Sequence, residues 1–158
     1  MTDKPQHPPT IDLDGARLRP FRVADADALY AYLRDPAVTE RTSYPVASVP
    51  MVEAMIERSL SRWAAGELSK WGVVLQHDDQ LVGTCGFNEW SQVHRWAELG
   101  FDLAQAHWGK GLMRQAVDAV LKKLSQYRRP ALSLWSLRYQ SRPQANWIRP
   151  RKFSSCLS

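Results

Sequence analysis

The stretch Trp96–Leu121, WAELGFDLAQAHWGKGLMRQAVDAVL, decides how this chain folds. Its first part alternates. Ala97, Leu99, Phe101 and Leu103 fall on one side of an extended chain, Glu98, Gly100 and Asp102 on the other, which predicts a strand over Trp96–Ala104. Its last part changes period. Met113, Val117, Val120 and Leu124 recur at helical spacing and predict a helix from about Gly111 to Gln126 with those residues buried. Between the two lies a short loop containing Gly109-Lys110-Gly111. Glycines let a backbone approach a ligand closely. The first N–H groups of a helix have no intrahelical partner, and the helix dipole favours an anion there by about 0.3–1 kcal/mol. Lys110 and Arg114 add positive charge. Strand, loop and helix together make an anion cradle suited to a phosphate, although the same glycines also suit a plain tight turn. Neither common nucleotide motif is complete: GxxxxGK[ST] is absent, and Arg114 stands where GxGxxG needs its third glycine.

Working outward, the period-2 pattern extends upstream. Trp71–Gln76 and Leu81–Glu89 read as two strands joined by the turn His77-Asp78-Asp79-Gln80. Before them Val52, Met55, Ile56, Leu60 and Trp63 form an apolar helical stripe, with Ser48 as cap, Pro50 in the first turn and Gly66 as stop. An earlier helix, ADALYAYLRD, is expected to be capped by Asp25 and ended by Asp35-Pro36, and a strand is expected at about Leu13–Arg22. Downstream, Ala131–Leu137 reads as a further strand. The order is strand, two helices, three antiparallel strands, helix, strand: an α/β (α+β) chain with a mixed sheet, in which the last helix makes a parallel crossover.

The composition sets limits. With 158 residues and 44% apolar content the chain makes about one domain with its own core, and extensive disorder is excluded. No apolar run approaches the roughly 20 residues of a membrane helix. The start MTDKPQHPP has no apolar core of a signal peptide, so the cytoplasm is the expected compartment. Cys85 and Cys156 form no CxxC, and the four histidines show no ligand spacing, so neither a disulfide framework nor a metal is expected. Cys85 reads as a small core residue, Trp63 and Trp71 as core, and Trp90, Trp96 and Trp108 as candidates to line an acceptor cleft. The net charge of +5 is unevenly spread: residues 127–158 hold seven basic and no acidic residues, leaving 14 basic against 16 acidic in residues 1–126.

Three blocks, RLRPFRVADADALY (Arg17–Tyr30), LVGTCGF (Leu81–Phe87) and AELGFDLAQAHWGKGLMRQAV (Ala97–Val117), together resemble the GNAT superfamily of acetyltransferases over roughly residues 13–126. Within it they resemble the branch of ribosomal-protein N-terminal acetyltransferases. The resemblance implies a mostly antiparallel central sheet flanked by helices, acetyl-CoA as cosubstrate and a primary amine as acceptor. It also implies that the pantetheine arm pairs with the backbone of Phe101, Asp102 and Leu103, like an added strand. The pyrophosphate would then rest on Trp108, Gly109, Lys110, Gly111, Leu112 and Met113. Ala106 departs from the Gln or Arg that the family places three residues before the first glycine. Amine acetylation needs a base. Glu98 stands where several members carry a catalytic Glu; the other reading of Glu98 is a surface or salt-bridged carboxylate.

The end of the chain departs from the family. Asn146 is not followed by the expected Ser, and no glycine follows Gly111, so the closing helix and hairpin are expected to be missing or replaced. The division expected is a disordered lead over residues 1–12, an acyl-CoA N-acyltransferase domain over 13–137, and a mobile basic tail over 138–158, produced by truncation or a frame change near residue 128. A strand left at the sheet edge would favour a homodimer. The alternatives are an acyl-CoA-binding remnant and a nucleic-acid binder acting through Arg–aromatic interleaving in the tail; no nucleic-acid motif supports the second, and neither nucleic acid nor a membrane is an expected partner.

Overall fold

The computed structural model describes residues 9–40, 47–91, 93–127 and 136–139. Among the described residues six strands form one sheet in sequential order: β1 (Ile11–Asp12), β2 (Ala16–Arg19), β3 (Lys70–Leu75), β4 (Leu81–Ser91), β5 (Trp96–Leu103) and β6 (Ser136–Tyr139). Neighbours among β1–β5 are antiparallel, and β6 runs parallel to β5 with Trp96 opposite Ser136 and Leu99 opposite Tyr139. The helices are α1 (Ala26–Leu33), α2 (Pro36–Thr39), α3 (Val49–Ala64) and α4 (Leu112–Tyr127). The mixed, mostly antiparallel sheet flanked by helices and the parallel crossover through α4 are as the sequence predicts.

Two cores explain why β3 and β4 are buried almost continuously. Successive side chains on a strand point to opposite faces. Leu81 packs with Leu29, Leu33, Val52 and Ile56 of α1 and α3, whereas the next residue, Val82, packs with Ala116, Val120 and Leu124 of α4. Trp63 and Trp71 meet edge to face at 4.6 Å within the second core. The Ser48 hydroxyl accepts from Met51 N at 3.3 Å and caps α3. Gly66, at φ +72°, ends the helix by donating to the Trp63 carbonyl.

Several sequence expectations are corrected. Of the strand expected over Leu13–Arg22, Ala16–Arg19 is strand; Ile11–Asp12 forms a separate strand before it, and Gly15 turns the chain between the two at φ +74°. The lead expected to be disordered through residue 12 is ordered earlier: Ile11 pairs with Leu18 and packs on the core, and the Pro9 carbonyl accepts from Trp71 Nε1 at 2.9 Å. Asp25 makes no cap bond to α1; its carboxylate instead holds Arg19 and the Arg22 N–H. Asp35 caps the unforeseen α2 by accepting from Ala37 N at 3.0 Å. Of the strand expected at Ala131–Leu137, Ser136 and Leu137 fall in β6, which runs on to Tyr139; the earlier part of that reading lies outside the described residues. The readings of residues 128–135 and 140–158, including the truncation, the mobile tail and its nucleic-acid alternative, lie outside the described residues.

A buried ion pair fixes the entry to α1. Arg19 donates two bonds to Asp25, at 2.8 and 2.9 Å, with both side chains under a tenth exposed. It also reaches Asp79 in the β3–β4 turn at 3.1 Å, and Arg22 meets the other Asp79 oxygen at 2.6 Å. Three separate segments are thereby tied at one end of the sheet.

Candidate active site

The Gly-Lys-Gly loop adopts the conformation its glycines allow. Gly109 and Gly111 both stand at φ +75°, in the left-handed region that disfavours other residues. A side-chain carbon built on either would meet nothing within 4 Å, so open space faces them. The first backbone bond of the following helix runs from Gln115 N to the Gly111 carbonyl at 3.2 Å. Among the described residues, the N–H groups of Gly109–Arg114 donate no backbone hydrogen bond, which is the free helix terminus an anion requires.

A cleft of about 410 Å³ opens beside this loop, lined by Phe101, Asp102, Leu103, Trp108, Gly109, Gly111, Leu112 and Met113 together with Val38, His107 and Arg114. Eight of the nine cofactor-binding residues expected from the sequence therefore converge on one cavity. Lys110 is exposed and does not line it. Trp108 acts differently from the expectation. Its backbone N–H is engaged with the Gln105 carbonyl at 3.1 Å, and its indole N–H donates to the Leu103 carbonyl at 2.7 Å, fastening the loop to the end of β5.

The alternation of β5 misplaces two residues. Phe101 shares its strand face with Leu99 and Leu103 but is 40% exposed, because the cleft rather than α4 lies over it. Asp102, expected on the polar side, is only 5% exposed. Burial there is sustained by hydrogen bonds: Tyr32 of α1 donates to one carboxylate oxygen at 2.6 Å and Thr84 of β4 to the other at 2.8 Å. Charged groups tolerate burial only when paired or hydrogen-bonded. Asp102 thus ties α1 to the strand that forms the cleft floor.

Glu98 does not line that cleft. It is half-buried in a second one of about 320 Å³, with Lys70 of β3, Asn88 of β4 and Arg58 and Arg62 of α3. Asn88 Nδ2 donates to Glu98 Oε1 at 3.1 Å. Glu98 and Asp102 lie four positions apart on the strand, about 13 Å at 3.3 Å per residue. The two clefts are therefore stations along one strand. Burial pushes the Lys70 ammonium below the usual lysine range, against the opposing charges of Asp102 and Glu98. Burial also pushes the Cys85 thiol up to about 12, which keeps it protonated and suits its place in the core. Trp90 and Trp96 line neither cleft. Among the described residues no group of His, Cys, Asp and Glu could hold a metal ion, and no helix is long and apolar enough to cross a membrane.

Residues 16–139 match the family model described as an acetyltransferase (GNAT) domain, and the chain belongs to that family. It is 32% identical over 136 residues to the uncharacterized N-acetyltransferase p20 of Bacillus licheniformis, covering 85% of this chain and 74% of that protein. A shorter match, 33% over 49 residues, joins it to the ribosomal-protein-serine acetyltransferase of Escherichia coli (strain K12), over 31% of this chain and 27% of that one. In fold it is similar to RimL, a ribosomal L7/L12 alpha-N-protein acetyltransferase solved in complex with coenzyme A. The TM-score is 0.65 at 18% identity, covering 74% of this chain and 68% of the other.

Proposed function

We propose that this chain transfers an acetyl group from acetyl-CoA to a primary amine, with a peptide α-amine as the acceptor that chemistry favours. The observation that carries this reading is the continuity of β5. Its C-terminal end leads into a glycine loop with free N–H groups, and its first half carries Glu98 in a second cleft. The loop would hold the pyrophosphate, and the backbone of Phe101–Leu103 would pair with the pantetheine arm. The open space at Gly109 and Gly111 fits a phosphate close to the backbone. In the reaction the amine nitrogen forms a bond to the thioester carbon, the C–S bond breaks, and the thiolate leaves with its electron pair. Glu98, directly or through water, takes the proton the amine must lose. An α-amine has a pKa near 7.7–8.0 and is roughly a tenth neutral at pH 7, whereas a lysine near 10.4 is almost wholly charged.

The test is equilibrium titration with CoA, followed by incubation of the protein with acetyl-CoA and a panel of peptides and small amines, read by product mass. CoA binding with at least one amine acetylated is expected. CoA binding with no amine consumed leaves an acyl-CoA-binding protein without transferase activity, and no CoA binding refutes both.

A further inference from the structure

The Glu98 cleft is bipolar. On its sheet side Glu89 and Glu98 stand directly opposite each other across β4 and β5, and both line it. Like charges in that arrangement destabilise a sheet. On its helix side Arg58 and Arg62 sit one turn apart on α3, where like charges again destabilise. Lys70, a third cation, stands on the sheet side at the start of β3, where the charge of Glu98 acts on it. Burial disfavours the charged forms of Arg62 and Lys70, and the charge of Arg58 adds to that effect on both.

The cations differ in what already holds them. Arg62 donates to the carbonyls of Phe87 and Asn88 and faces Glu67 at 3.6 Å. Arg58 makes no ion pair among the described residues. Among the described residues no ion pair closes between the arginines of α3 and the carboxylates of β4 and β5, and the cleft lies between them. Opposite charges held apart across a gap match a molecule that carries both signs.

Resting on the acetyl-transfer reading above, we propose that the acceptor is dipolar, a primary amine with a carboxylate a few bonds away. Its nitrogen lies at Glu98 and its carboxylate against Arg58. Such chemistry comes from two sources: the α-amine of a peptide whose second residue is acidic, or a free amino acid. The carboxylate pair attracts the incoming ammonium, and Glu98 then removes its proton. The guanidinium fixes the other end by a charge-assisted hydrogen bond.

Two matched pairs of acceptors test this with acetyl-CoA at low salt. Ser-Asp-Ala-amide against Ser-Asn-Ala-amide is the peptide arm, and alanine against alaninamide is the amino-acid arm. In at least one arm kcat/KM should favour the carboxylate member by about tenfold, and added salt should shrink the preference. Arg58→Glu should reverse it, towards Ser-Lys-Ala-amide, while Arg58→Lys should retain most of it. Equal rates within both arms, or a preference indifferent to Arg58→Glu, overturn the inference while acetyl transfer stands. Acetylation of an amine without a carboxylate, such as spermidine, in preference to both arms does the same. If CoA binds and no amine is acetylated, the transfer reading fails and this inference fails with it.

Discussion

Replacing Gly111 by alanine separates a cradle from a turn, because the structure supplies a matched control. Gly111 and Gly15 have nearly the same backbone, at φ +75° and +74°, and a side-chain carbon at either meets nothing within 4 Å. Each substitution therefore carries the same conformational cost and no steric one. Placing a non-glycine residue in the left-handed region costs about 1 kcal/mol, which lowers Tm by about 3 °C for a domain of this size. The two differ in surroundings. Gly111 lines the cleft beside β5, whereas Gly15 turns between β1 and β2. If the loop N–H groups hold a pyrophosphate, the added methyl at Gly111 pushes an anionic oxygen off one of them. A hydrogen bond to a charged group is worth about 1.5–3 kcal/mol, so CoA affinity should fall at least about tenfold. Thermal unfolding and calorimetric titration with CoA read the two quantities on each variant. Equal loss of Tm with CoA binding weakened only in Gly111→Ala is the expected result. Equal CoA affinity in both variants would show that the glycines serve the turn alone.

Glu98→Gln should reduce kcat by about 10²–10⁴ with little change in CoA affinity, and should remove the acidic limb of the pH–rate profile; near-normal turnover with the same profile would return Glu98 to a surface role. Asp25→Ala breaks a buried pair and strands Arg19, at a cost of about 3 kcal/mol, the low end of the usual range because Asp79 still holds the guanidinium; urea unfolding measures it. Burial pushes Asp79 upward, but the hydrogen bonds and charges of Arg19 and Arg22 outweigh this and hold its carboxyl below the usual range. The stability it lends is present above the unfolded pKa and is lost as pH falls through the folded value, so Asp79→Asn should flatten the loss of stability below about pH 4. The Cys85 thiol, fully buried and pushed up to about 12, should resist iodoacetamide in the native protein at pH 8 and react once unfolded, as read by mass spectrometry of its peptide.

What the sequence made legible was local. Ser48, Pro50 and Gly66 bound α3 as their capping chemistry requires, and the change of period across Trp96–Leu121 locates β5, the loop and α4. The eight residues that converge on the larger cleft come from one contiguous stretch, so strand geometry and a loop sufficed to bring them together. The buried charges were not legible, because each depends on a partner far along the chain. Arg19 is held partly by Asp79, 60 residues away, and Asp102 by Tyr32, 70 residues away. Alternation assigns Asp102 to the polar side, since nothing in β5 announces a phenol and a hydroxyl waiting there. The second cleft was hidden for the same reason. Arg58, Lys70, Asn88 and Glu98 come from four elements, and their meeting is a property of the sheet register.

That register also explains how the candidate base is held. The β4–β5 ladder slips between Phe87 and Glu89, so Asn88 falls at an irregularity. Arg62 of α3 grips this point by donating to the carbonyls of Phe87 and Asn88. The Asn88 amide then lies over Gly100, where a side-chain carbon would come within 2.6 Å of its nitrogen, and reaches Glu98. A side-chain carbon at Gly100 would displace the amide that orients the carboxylate. A helix thus sets an irregularity in one strand, the irregularity places an amide, and the amide fixes a carboxylate on the next strand. The same helix contributes Arg58 to the opposite wall. The distance between base and guanidinium is therefore governed by how α3 seats on the sheet, through Val52, Ile56 and Trp63, and packing changes at these three residues reach the chemistry without touching a substrate.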